Sequence, residues 1–122
     1  FAWSGYGLGV HAPGRGGPGQ PGNRATEPYL VVHNMLLAHL WAAQAFRCYQ
    51  KNTDSQVGVT MLRAKNEGEI GMAINSDWGE PYDPGSEADC EAAKKYVEFW
   101  YGWAGDPLVL GHYPESMVSA LG

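Results

Sequence analysis

The chain has 122 residues, 44% of them apolar, with 13 acidic and 8 basic side chains and a net charge of −5. That length and apolar content suit one ordinary domain. The acidic balance and the lack of a basic block argue against nucleic acid as a partner, and the longest apolar runs, residues 30–32 and 108–110, fall far short of the ~20 residues of a membrane-crossing helix.

Residues 1–24 carry glycine at positions 5, 7, 9, 14, 16, 17, 19 and 22, a density that predicts a long irregular loop. Such loops in compact domains are usually functional or disordered. The Gly5-x-Gly7-x-Gly9 spacing is not a phosphate cradle, because no helix N-terminus follows at once and no Gly-Lys-Ser/Thr run is present. A helix is predicted from Thr26 as N-cap, with Glu27 and Pro28 suited to its first turn. Leu30, Leu37, Trp41 and Ala45 recur at helical spacing, Leu36 and Leu40 widen the stripe, and the helix should run to about Gln50. Residues 69–76 are short, apolar and continuous, the pattern of a strand covered on both faces. A loop with Pro81, Pro84 and Gly85 follows, then Ser86 with Asp89 as a loose capping box. The helix that this opens, residues 87–103, carries Ala93, Tyr96, Val97, Trp100 and Trp103 on one side, and Asp106-Pro107 should end it. Residues 115–121 can start a further short helix.

Trp41, Trp100 and Trp103 lie on helical stripes and read as core, which leaves Trp3 and Trp78 as cleft aromatics. Cys48 and Cys90 sit in separate predicted helices without ligand spacing and read as free structural thiols. His33 and His39 are six apart on one helix, hence on different faces, and no His-Glu-x-x-His run occurs. No metal site is expected.

Five runs then stand in a fixed order. They are Gly5-Tyr6-Gly7-Leu8-Gly9 through His11-Ala12-Pro13-Gly14-Arg15, Thr26-Glu27-Pro28-Tyr29-Leu30 through His33-Asn34, Gly68-Glu69-Ile70-Gly71 through Trp78-Gly79-Glu80-Pro81, Gly102-Trp103-Ala104-Gly105-Asp106-Pro107, and Gly111-His112-Tyr113-Pro114. Together they resemble the middle of family 1 glycoside hydrolases, the retaining β-glucosidases built on a (β/α)8 barrel. The resemblance implies an α/β fold class: a partial TIM barrel running from the loop after strand four through helix five, with residues 1–122 forming one incomplete domain. In that family the acid/base glutamate lies in a Thr-Phe-Asn-Glu-Pro strand end just before a segment like residues 1–14. The nucleophile glutamate lies in a Thr-Glu-Asn-Gly run far downstream of anything like residue 122. Neither run is present here, and eight strands need roughly 250 residues. An internal piece of an enzyme is therefore expected, and the absence of an initiating Met agrees.

The resemblance also sorts the acidic residues. Glu27 before Pro28 matches the family's Thr-Glu-Pro helix start, and Glu80 before Pro81 its Trp-x-Glu-Pro run, so neither is a catalytic candidate. Residues 57–66 look like extra material between helix and strand, on the barrel face away from the chemistry. Many plant members carry a disulfide after the Ala-Pro-Gly-Arg run, whereas Gly16-Gly17-Pro18 here has no cysteine.

For substrate binding, the resemblance places Ser4 and His11 on the aglycone side of the sugar pocket. It places Asn75, Asp77 and Trp78 at the carboxyl end of a barrel strand, where binding groups project. The plainer readings are loop packing for His11, strand-end capping for Asn75 and wall packing for Trp78. The implied activity is hydrolysis of β-glycosides with retention, by two glutamates and without metal or organic cofactor; the implied partner is a small-molecule β-glycoside. A binding-only relative that had lost its glutamates, or a self-standing carbohydrate-binding domain, are the alternatives.

Overall fold

Helices supply all the regular structure among the described residues, 1–54 and 68–122 of the computed structural model. These residues fall into two units, Phe1–Met72 and Ala73–Gly122. The stretch 57–66, read above as extra material, lies outside the described residues.

The first unit opens on a helix, α1 (Ala2–Tyr6), where the glycine content predicts loop. The Gly7 and Leu8 amides close it on the Trp3 carbonyl at 2.9 and 2.8 Å. Gly5 explains the difference. It is buried, and a Cβ there would lie 2.8 Å from the Ala12 carbonyl oxygen. A helical glycine costs only ~1 kcal/mol, and close backbone packing outweighs that. Turns and bends occupy the rest of the segment to residue 26, as expected. Gly16 holds one of them at φ +82°, where a side chain would collide with the Tyr6 carbonyl.

The second helix, α2 (Glu27–Asp54), begins one residue after the expected cap and runs four residues past Gln50. Thr26 holds the expected cap position, its carbonyl accepting from the Leu30 amide at 3.1 Å, and Asn23 organises the turn before it. The Asn23 side-chain oxygen accepts from the Ala25 amide at 2.9 Å, and its carbonyl accepts from the Glu27 amide at 2.9 Å. Pro28 is fully buried in the first turn, where its missing amide costs nothing. Leu36 and Ala43 are also buried in α2, which packs against α1. The expected core tryptophan of this helix is not core: Trp41 is 68% exposed. Its stripe is wider than the short α1 can cover.

Residues 69–76, expected as a strand, pair with no strand among the described residues. Strand structure is a ladder of bonds to a neighbour, and a parallel strand needs neighbours brought by long crossover connections. Within it exposure alternates over residues 71–75 only, with Met72 and Ile74 half-buried and Gly71, Ala73 and Asn75 exposed.

The second unit is helical from residue 87. Ser86 caps α3 (Glu87–Val97), its hydroxyl accepting from the Asp89 amide at 3.3 Å. The Asp89 carboxylate takes the Asp83 amide at 3.0 Å, so the capping box closes on the preceding turn rather than on Ser86. The expected single helix 87–103 is instead α3, then a π turn (Glu98–Gly102), then α4 (Trp103–Val109). Pro107 lies inside α4 and withholds one amide from the ladder. The helix ends two residues later, so Pro107 shortens it without stopping it at once. Trp100, expected as core, is 46% exposed. A short α5 (Glu115–Leu121) forms where expected and buries Met117.

Candidate functional site

In the first unit, α1 brings Ser4 beside the turn that carries His11. The Ser4 carbonyl accepts from the Val10 and His11 amides at 3.0 and 3.3 Å. His11 is exposed and Ser4 half-buried, so His11 is not the packing residue of its loop. The Arg24 guanidinium lies over the neighbouring Trp3 ring, 5.9 Å from its centroid.

Arg15 fixes this segment onto α2. Its Nε and Nη2 donate to the two Glu27 carboxylate oxygens at 2.8 and 2.7 Å, a two-pronged pair that matches guanidinium to carboxylate. The hydrogen bond from Arg15 holds the Glu27 carboxyl below its ordinary range, and the same bond raises the guanidinium. Glu27 thus does more than complement the helix dipole. It anchors a turn twelve residues away.

In the second unit, Asn75, Asp77 and Trp78 are all exposed. Asp77 and Trp78 each have a partner that their own positions do not announce. The Tyr96 hydroxyl on α3 donates to the Asp77 carboxylate at 3.2 Å. The Trp78 indole N–H donates to the Glu80 carboxylate at 2.7 Å. Between them Gly79 lies against the Tyr96 ring, where a Cβ would sit 2.8 Å from Cδ1. Tyr96 in turn packs on Trp100, with centroids 6.0 Å apart and planes at 45°. Burial and the Asp77 hydrogen bond raise the Tyr96 phenol above its usual value, so it stays a neutral donor.

An open cleft of about 540 Å³ lies here, and its walls include Trp78, Glu80, Tyr82, Asp89 and Tyr96. Trp78 is 75% exposed, so it is neither buried wall nor core. Aromatic faces beside carboxylates can stack on a ring and accept hydrogen bonds from hydroxyls. Sequence reading did not single out Glu80 or Tyr96 for this cleft. The Trp78-Gly79-Glu80 spacing, an acceptor two residues from an indole donor, could have signalled Glu80. Nothing local could have signalled Tyr96, nineteen residues from Asp77. Among the described residues, no group of three or more His, Cys, Asp or Glu side chains is placed to hold a metal ion, and no helix is long and apolar enough to cross a membrane.

The sequence pattern of glycosyl hydrolase family 1 matches residues 1–122. The chain belongs to glycosyl hydrolase family 1. It is 43% identical over 127 residues to Beta-glucosidase 25 of Oryza sativa subsp. japonica, an alignment covering 100% of this chain and 23% of that protein. It is 45% identical over 115 residues to a furostanol glycoside 26-O-beta-glucosidase of Hellenia speciosa, covering 90% of this chain and 18% of that protein. Among solved structures, the β-glucosidase from Trichoderma harzianum superposes with a TM-score of 0.78 at 39% identity, over 99% of this chain and 22% of that one. The chain thus spans about a fifth of the length of these family members.

Proposed function

We propose that this chain is an internal segment of a retaining β-glucosidase that hydrolyses O-glycosyl bonds of β-glycosides. The observation that carries the reading is the family match across residues 1–122, to relatives named as β-glucosidases. The segment runs from the loop after strand four through helix five of a (β/α)8 barrel, with residues 69–76 following the path of strand five. It supplies cleft wall rather than the two glutamates. One of those protonates the leaving oxygen while the other attacks the anomeric carbon, and water then resolves the glycosyl-enzyme. Leaving-group contacts are assigned to Ser4 and His11 in the first unit and to Asn75, Asp77 and Trp78 in the second, where Trp78 offers a flat apolar face and Asp77 and Asn75 hydrogen-bond hydroxyls. The substrate is a small-molecule β-glycoside.

The test is to express the full-length parent and follow hydrolysis of an aryl β-glucoside by proton NMR. Release of the β-anomer first is expected, because two inversions give retention. First release of the α-anomer overturns the retaining assignment, and glycoside binding without any turnover identifies a binding-only relative. The 122-residue chain alone should give no turnover, having neither of the family's glutamate runs.

A further inference from the structure

In the second unit, the two exposed side chains assigned above to leaving-group contacts are each gripped by a second residue. An exposed tryptophan or aspartate has several rotamers of similar energy and would order only as ligand binds, at an entropic cost. Trp78 escapes this through a 2.7 Å bond from its indole to a carboxylate, and a charged acceptor makes such a bond about twice as strong as a neutral one. Asp77 escapes it through the Tyr96 hydroxyl. Tyr96 is fixed on three sides. It stands on α3, whose start is capped by Ser86; its ring rests on Trp100; and Gly79 lies close enough that a Cβ there would come within 2.8 Å of the ring. The loop 77–80 and the helix are therefore one framework, in which moving Tyr96 moves both Asp77 and Gly79, and with Gly79 its neighbour Trp78.

We propose that Glu80 and Tyr96 are positioning residues that set selectivity for the leaving group, by holding Trp78 and Asp77 in the orientation that receives it. The inference rests on the β-glucosidase reading above. In a retaining mechanism the leaving group is gone before the glycosyl-enzyme is hydrolysed. Such residues therefore act on leaving-group binding and on the first step, and they discriminate among substrates that share a sugar.

The experiment compares full-length parent protein with Tyr96→Phe, Glu80→Ala and Glu80→Gln variants on two β-glucosides, one with a methyl and one with a 4-methylumbelliferyl leaving group. Each result is taken as the variant-to-parent ratio of kcat/KM, which cancels leaving-group reactivity. Tyr96→Phe and Glu80→Ala should lose about tenfold on the bulky substrate, the size expected for one hydrogen bond to a charged group. The loss on the methyl glucoside should be distinctly smaller, and on the bulky substrate it should be carried in KM rather than kcat. Glu80→Gln keeps an acceptor oxygen for the indole and should recover most of it. Equal losses on both substrates, with or without a fall in melting temperature, would show a purely structural role and overturn the inference. So would unchanged ratios. If the unmodified parent hydrolyses neither substrate, the enzyme reading fails and takes this inference with it, an outcome distinct from the other two.

Discussion

Arg15 and Glu27 meet across twelve residues, and their two hydrogen bonds close the glycine-rich opening onto the first turn of α2. The pair is part-exposed, so solvent and salt screen it. Because the Glu27 carboxyl is held below its ordinary value of 4.5, its contribution is fully present above that value and is lost as pH falls through the lowered one. In full-length protein, replacing Glu27 by Gln should flatten the acid limb of the melting-temperature profile by a small, salt-sensitive amount. An acid limb unchanged by Glu27→Gln would show that the pair does not contribute. Tyr96 carries the opposite sign. Its phenol is raised above 10.0, so whatever it contributes is complete below that pH and drains as pH climbs through the higher folded value. Tyrosinate absorbance in parent and Tyr96→Phe proteins should differ by one late-titrating phenol. Neither partnership was legible in the sequence, since Arg15–Glu27 and Asp77–Tyr96 join residues that no local pattern pairs.

At the scale of elements, local chemistry predicts well where an element is fixed by its own residues. Ser86 is the clearest example, a hydroxyl followed three residues later by the amide it accepts from. Ser86→Ala should cost about 1 kcal/mol, and Ser86→Asp should keep most of it. Urea unfolding of the full-length protein measures both, and equal stability of Ser86→Ala and parent would refute the cap's role. The π turn is different, because its glycine answers to a neighbour outside the helix. Gly102 is buried, and a Cβ there would lie 2.9 Å from Pro114 Cγ and 3.3 Å from the Asp106 carboxylate. Gly102→Ala should therefore destabilise by ~1–3 kcal/mol, as overpacking does, although alanine is the better helix former. A gain in stability would mean that the turn after α4 yields easily.

For the whole molecule, the decisive feature is how little of the apolar stripes is covered. Apart from prolines, the buried apolar side chains among the described residues are Ala2, Leu36, Ala43 and Met117, while Leu30, Leu40, Trp41 and Trp100 remain substantially exposed. Domains are stable by only ~5–15 kcal/mol, and full burial of one large apolar side chain is worth ~1.5–3 kcal/mol. The 122-residue chain alone should accordingly lack a cooperative melt and should bind a hydrophobic dye; a sharp calorimetric transition from a monomer would contradict this. The sequence by itself determined the family, because five short runs keep their residues and order, and it located the starts of α2, α3 and α5, because capping and 3.6-residue periodicity are local. It also placed Asp77 and Trp78 together as candidates. Tertiary structure alone decided that Gly5 sits in a helix, that residues 69–76 find no ladder among the described residues, and that Tyr96 and Glu80 hold the exposed pair. Each of those outcomes depends on contacts between residues distant in the chain or on side-chain direction, and periodicity encodes neither.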